Sequence, residues 1–62
     1  MRHTLKKFLE YYEPNRIQLV IADHSVIIDT ELEGSMFLIR AFEDKKFYFV
    51  NCNDGVLVLN IN

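Results

Sequence analysis

The pair Asp54-Gly55 separates two runs near the end of the chain that are rich in β-branched and aromatic residues, KFYFVNC (46–52) and VLVLNIN (56–62). A two-residue type I′ turn needs positive φ at both central positions, and Asp-Gly is among the pairs that accept this best. The pair therefore predicts a β-hairpin. Its last strand is apolar at nearly every position, whereas a strand with one solvated face alternates between apolar and polar residues. We therefore expect this strand to need cover on both faces.

The length of the chain limits how it can be stabilised. Its 62 residues predict a single domain, residues 1–62. A domain of this size buries only about 60% of the surface of its unfolded chain and usually needs a disulfide, a metal or oligomerisation. An intramolecular disulfide is excluded, because Cys52 is the only cysteine. Oligomerisation therefore becomes a structural expectation.

The segment TLKKFLEYYEP (4–14) predicts an amphipathic helix. Four apolar residues follow the i, i+3, i+4, i+7 spacing of one helical face. They are Leu5, Phe8, Leu9 and Tyr12. Thr4 is the expected N-cap, and Pro14 ends the helix because the residue before a proline avoids the α region.

A second hairpin is predicted from RIQLVIAD (16–23) and SVIIDTELE (25–33), which are rich in β-branched residues and meet at the turn sequence DHS. Strict alternation divides its second strand into two faces. One face carries Ile27, Asp29, Glu31 and Glu33. The other carries Val26, Ile28, Thr30 and Leu32.

The middle segment SMFLIRAFEDKK (35–46) fits two structures. As a helix it has Ser35 as N-cap and a short apolar stripe of Leu38, Ile39 and Phe42. As a strand it contains a buried run at 36–39, and a short apolar run cannot be assigned by its period alone. We favour a short helical crossing.

Together these elements predict an α+β fold, in which an N-terminal helix packs on a mostly antiparallel sheet of about four strands. The order is helix, hairpin, short crossing, hairpin. Alternation splits the third strand into one face with Phe47, Phe49 and Asn51. The opposite face has Tyr48, Val50 and Cys52.

The predicted N-terminal helix covers only one face of the sheet, the one that holds a set such as Leu57, Leu59 and Ile61. The other face then exposes Val56 and Val58, and either set of the third strand can lie beside them. The middle segment is expected to cover part of this face, and a second copy or a partner the rest. The predicted self-association residues are Val56, Val58, Tyr48 and Val50, and the predicted oligomer is a homodimer.

The sequence predicts neither a metal site nor a cofactor nor a catalytic residue. His3, His24 and Cys52 lack the spacing of metal ligands. Cys52 has no neighbouring base or positive charge to activate its thiol. The three carboxylates on the second strand have no evident cleft that would shift a pKa. We therefore expect a non-enzymatic protein.

An acidic stretch lies between Arg16 and Arg40, where the chain has four acidic residues and no lysine or arginine. The acidic residues are Asp23, Asp29, Glu31 and Glu33. They are interpreted either as a solvated edge that prevents unwanted strand pairing or as a docking surface for a basic partner. In the second case Asp29, Glu31 and Glu33 bind the partner.

Nucleic-acid and membrane binding are not expected. KKFYF (45–49) mixes basic and aromatic residues, but Glu43 and Asp44 offset the lysines and the net charge is −2. No apolar run approaches the ~20 residues that a membrane span needs, and the first residues carry charges where a signal peptide would be apolar. With a lone cysteine, the expected location is the cytoplasm.

Three segments resemble a known pattern: LKKFLEYYEPN (5–15), IQLVIAD (17–23) and DGVLVLNI (54–61). The chain resembles small uncharacterised proteins of phages, prophages and plasmids of Gram-positive bacteria, although residues 32–42 lack the Leu-Pro often found there. The resemblance implies the same fold, a mobile-element origin and a location in the host cytoplasm. It offers no catalytic residues to carry over to this chain. Small phage proteins are often inhibitors, so we expect a module that occupies the surface of a host or defence protein, in the manner of an anti-CRISPR. The alternative is a self-associating structural or assembly protein.

Overall fold

The computed structural model describes residues 2–61. These residues form five strands, two α-helices and one 3₁₀-helix. In chain order the elements are β1 (Arg2–Thr4), α1 (Leu5–Tyr12), β2 (Arg16–Val20), β3 (Val26–Glu31), a 3₁₀-helix (Leu32–Gly34), α2 (Ser35–Ala41), β4 (Lys46–Asn53) and β5 (Val56–Asn60). The predicted α+β class is confirmed, with the N-terminal helix on a mostly antiparallel sheet.

The sheet has the strand order β1-β4-β5-β2-β3. Three of its strand pairs are antiparallel, and β2 and β5 run parallel at the centre, with Leu19 beside Leu59. The fifth strand, β1, was not predicted from the sequence. His3 belongs to this strand and lies opposite Phe47 in the β1–β4 pair.

Helix α1 confirms the predicted stripe. Thr4 caps it, because its Oγ1 accepts a hydrogen bond from the Lys7 N–H at 3.3 Å. The helix ends at Glu13, which adopts the left-handed conformation with φ 47° ahead of Pro14. Four side chains of the helix reach the core: Leu5, Phe8, Leu9 and Tyr12.

The C-terminal hairpin confirms the predicted turn. Asp54 has φ 54° and Gly55 has φ 78°, the positive values that a type I′ turn requires. The Gly55 carbonyl accepts hydrogen bonds from the N–H groups of Asn15 and Arg16 at 2.7 and 3.1 Å. The turn therefore also fixes the start of β2.

Replacing Gly55 with alanine is expected to lower the free energy of unfolding by about 1–2 kcal/mol, because alanine is strained at positive φ. A Cβ atom there would also lie 2.6 Å from Asn15 Nδ2, so that side chain must move. Urea denaturation measures the change. Asp54→Asn is the control, since asparagine tolerates the left-handed region, and an equal loss in both variants would contradict the explanation.

The core lies between the sheet and both helices. Its buried residues form one cluster, Leu5, Phe8, Ile17, Leu19, Leu38, Phe47, Leu57 and Leu59. Helix α2 confirms the favoured helical reading of the middle segment, but Gly34 is its N-cap, whereas Ser35 is the first helical residue and is buried.

The expectation that the middle segment covers the opposite face is wrong. Leu38 belongs to the same core cluster as α1, and Ile39 and Phe42 pack against that cluster. The 3₁₀-helix directs the chain to this side, and its Leu32 N–H donates to the Asn15 carbonyl at 2.9 Å. Both α-helices of residues 2–61 therefore lie on one face of the sheet.

Two register irregularities change which residues share a face. Between Phe49 and Asn51 the β4–β5 register shifts, so Asn51 lies opposite Val58, and Cys52 lies opposite Leu57 and packs against the core. Our assignment of these two residues from strict alternation is therefore wrong. An extra residue in one strand moves every later side chain to the other face.

The same effect occurs in the first hairpin. The β2–β3 register shifts so that Leu19 lies opposite Ile28 but Val20 lies opposite Val26. Strict alternation had predicted that Val26 and Ile28 share a face. Because of the irregularity, they lie on opposite faces.

Candidate functional site

The face of the sheet opposite the helices is the candidate site, and we call it the helix-free face. Strand pairing assigns its residues, because residues that lie directly opposite each other point to the same side. From one edge to the other they are Arg2 on β1; Lys46, Tyr48, Asn51 and Asn53 on β4; Val56, Val58 and Asn60 on β5; Arg16, Gln18 and Val20 on β2; and Val26, Asp29 and Glu31 on β3.

The centre of the helix-free face is apolar. Val56 and Val58 lie on β5, the middle strand, and are half-buried between neighbouring side chains. Val20 on the adjacent strand is only 3% exposed and does not belong to the core cluster. Tyr48 on the other side is 42% exposed. The structure thus presents an apolar strip without a helix above it.

Three of the four residues predicted for self-association share this face: Val56, Val58 and Tyr48. Val50 lies at the β4–β5 irregularity and has no residue opposite it on β5, so strand pairing assigns it to neither face. A role for the four residues in self-association stays a prediction.

The edge formed by β3 is acidic and contains an internal ion pair. Arg16 Nε donates to Asp29 Oδ1, and Gln18 Nε2 donates to Asp29 Oδ2 at 3.2 Å. Arg16 Nη1 lies 3.9 Å from Glu31 Oε1. One arginine therefore offsets one of two carboxylate charges, and exposed pairs of this kind contribute little stability, about 0–1 kcal/mol.

The predicted partner-binding carboxylates are only partly brought together. Asp29 and Glu31 share the helix-free face, as alternation predicts. Glu33 instead lies in the 3₁₀-helix beyond the end of β3. The position of Arg16 between the two carboxylates was missed, although Arg16 and Glu31 stand opposite each other once the first hairpin is placed in register.

The opposite edge of the helix-free face is basic. Arg2 lies opposite Tyr48, and its guanidinium carbon is 5.3 Å from the centre of the tyrosine ring. This is the distance of a cation–π contact, worth about 0.5–1 kcal/mol at an exposed site. Lys46 lies two positions before Tyr48 on the same side of β4. Arg2 was missed as a site residue because β1 was not predicted, and Lys46 was missed although it begins a strand that was predicted.

A second exposed apolar group lies on the helix side. Met36 and Phe37 on α2 are exposed, Phe37 by 74%. The sequence indicates this exposed apolar group, because the run MFLI holds more apolar residues than one side of a seven-residue helix can bury. Aromatic rings also cluster at the end of α1, where Tyr12 stacks on Phe49 with the ring centres 5.0 Å apart.

The candidate metal ligands lie on separate elements. His3 on β1 contacts the Phe8 ring edge-on at 5.6 Å, His24 occupies the β2–β3 turn with φ 68°, and Cys52 packs against the core. Among residues 2–61, no group of three or more His, Cys, Asp or Glu side chains is placed to hold a metal ion. No helix in this part of the chain is long and apolar enough to cross a membrane.

The turn between β2 and β3 holds one shifted carboxyl. The Ser25 N–H donates to Asp23 Oδ1 at 3.0 Å, and this hydrogen bond lowers the pKa of Asp23 below its ordinary value of 3.8. The stabilisation is fully present above the ordinary pKa and is lost as the pH falls through the lowered one.

An NMR titration of the Asp23 carboxyl carbon is therefore expected to give a midpoint below 3.8 in the folded protein. The same resonance in urea-unfolded protein is the reference. Equal midpoints in the two states would show that the turn does not favour the carboxylate.

Comparisons of the chain with protein-family models, with curated proteins and with solved structures gave no match. The resemblance to small phage proteins thus rests on the three segments 5–15, 17–23 and 54–61.

Proposed function

We propose that this protein is a non-enzymatic protein-binding module that acts through its helix-free face. The observation that carries the proposal is that both helices of residues 2–61 pack on one side of the sheet. The other side keeps an apolar centre formed by Val56, Val58 and Tyr48. Contiguous exposed apolar surface bordered by polar residues is typical of protein interaction sites.

The charged borders give this face its selectivity. Asp29 and Glu31 favour a partner with a basic surface at the β3 edge, and Arg2 and Lys46 favour acidic groups at the other edge. Charges at the rim of an interface speed association and select the partner more than they add affinity. Binding is therefore expected to weaken as salt screens these charges.

The resemblance to mobile-element proteins suggests the biological setting of such a module. A phage-encoded protein of this size would act in the host cytoplasm by occupying the surface of a host or defence protein, as anti-CRISPR proteins do. The alternative is a structural or assembly protein that associates with itself through the same face. The opposite charges on its two edges favour this alternative.

Affinity purification from Gram-positive host cells tests the proposal. The Val58→Glu bait is expected to lose the proteins captured by wild type, because glutamate places an unpaired charge at the apolar centre. Phe37→Glu is the matched control, since it makes the same kind of change at an exposed apolar residue of α2, and it should capture normally. Loss with Phe37→Glu and retention with Val58→Glu would place the binding surface on α2 and overturn the proposal.

A further inference from the structure

We propose that the partner covering the helix-free face is a second copy of this chain, bound with its basic corner over the acidic corner of the first. The inference rests on the proposed function in one respect, namely that this face is a binding surface. It is carried by the distribution of charge on the face and by the size of the face.

The charges of the face lie at diagonal corners. Lys46 begins β4 beside the end of β5, since Tyr48 lies opposite Asn60. Glu31 ends β3 at the other end of the sheet, since Arg16 pairs with both Glu31 and Val56. The strands β1 and β3, which carry Arg2 and Asp29, are the two outer strands.

Each corner has a net charge of its own sign. The basic corner carries the two cations Arg2 and Lys46. The acidic corner carries Asp29 and Glu31, and Arg16 between them leaves it with one net negative charge. The face is therefore complementary to itself, because opposite charges meet when one copy is turned over onto another.

One two-fold arrangement satisfies both corners at once. Its axis lies between the copies along the uncharged diagonal, so each basic corner covers the partner's acidic corner. The strands of the two sheets then cross steeply, as in orthogonal sheet packing. Arrangements that place Arg2 over Arg2 of the partner subunit or Glu31 over Glu31 of the partner subunit bring like charges together and are disfavoured.

The centre and the size of the face suit this arrangement. Val56 and Val58 lie on the middle strand, so the apolar strips of the two copies meet near the axis. The two longer extents of the molecule are 27 and 26 Å. A face that fills both extents measures at most roughly 700 Å², near the ~800 Å² per partner of a standard interface.

Sedimentation equilibrium of the wild type is expected to show a monomer–dimer equilibrium. Val58→Glu should raise the dimer dissociation constant by about 100-fold or more, because the two-fold axis puts two uncompensated charges into one interface. Phe37→Glu should leave it unchanged. A wild type that stays monomeric up to millimolar concentration would overturn the inference, and so would a dimer that Phe37→Glu dissociates and Val58→Glu does not.

Charge exchange tests the orientation without disturbing the apolar centre. Lys46→Glu and Glu31→Lys should each weaken the dimer by about tenfold, and the double variant should recover to within about threefold of wild type. Lys45→Glu, the same change just before β4, is the control and should have little effect. If the double variant loses as much binding free energy as the two single variants together, the corner-to-corner arrangement is overturned.

Failure of this inference differs from failure of the proposed function. A monomeric wild type that captures a different protein, and loses it in Val58→Glu, refutes the second copy as the occupant but keeps the face as a binding surface. If Val58→Glu alters neither sedimentation nor capture, the helix-free face is not a binding surface and both proposals fall.

Discussion

Replacing Phe47 with alanine is expected to leave most of the protein unfolded at 25 °C. Phe47 has no exposed surface, lies opposite His3 on β1 and contacts the Phe42 ring edge-on at 6.1 Å. Truncating a buried phenylalanine to alanine costs about 3–5 kcal/mol, since it removes apolar contacts and leaves a cavity. A core of this size supplies only about 3–5 kcal/mol in total, so little stability is left.

Circular dichroism and urea denaturation measure this effect. Phe37→Ala is the matched control, because the same side chain is removed where it is largely exposed, and its effect should stay within about 0.5 kcal/mol. A Phe47→Ala protein with the unfolding midpoint of wild type would contradict the description of the core.

The second large effect is a contrast between two neighbours on β5. Leu57→Glu is expected to abolish folding, whereas Val58→Glu should stay folded and lose association. Leu57 has no exposed surface and belongs to the core cluster, so a glutamate there is a buried charge without a partner. Val58 lies on the helix-free face, where the glutamate of a monomer reaches water.

One-dimensional NMR spectra and circular dichroism of the two variants show which of them keeps the fold. A folded Leu57→Glu protein would contradict the assignment of the two faces. An unfolded Val58→Glu protein would mean that both faces serve the core of one monomer, so that the helix-free face is not a surface at all.

Local patterns explain why much of the fold was predicted from the sequence. The spacing of Leu5, Phe8, Leu9 and Tyr12 defines one face of α1, and Asp54-Gly55 requires a turn with positive φ. Both signals act within a few residues, so no knowledge of the rest of the chain is needed.

The features that escaped prediction depend on distant parts of the chain. Strand β1 has three residues and no period of its own, and it forms only because β4 offers it an edge. The parallel pairing of β2 with β5 joins segments about forty positions apart along the chain. The irregularity at Val50 adds one residue, which strict alternation cannot anticipate and which exchanges Asn51 and Cys52 between faces.

The candidate site was likewise predicted only in part from the sequence. Alternation on β5 placed Val56 and Val58 together, and the structure puts Tyr48 on the same face. The absence of cover from α2 was not predictable, because the stripe of Leu38, Ile39 and Phe42 does not specify which side of the sheet it meets. The charged corners required the register of β1 and of the first hairpin.

The central claim is that the helix-free face binds a second copy of the chain, and a dilution series of ¹H–¹⁵N spectra of the wild-type protein tests it most directly. We expect concentration-dependent shifts at Tyr48, Val56, Val58 and Gln18, with little change at Met36 and Phe37. Shifts confined to Met36 and Phe37 would place association on α2, and the absence of any shift up to millimolar concentration would contradict self-association through the sheet.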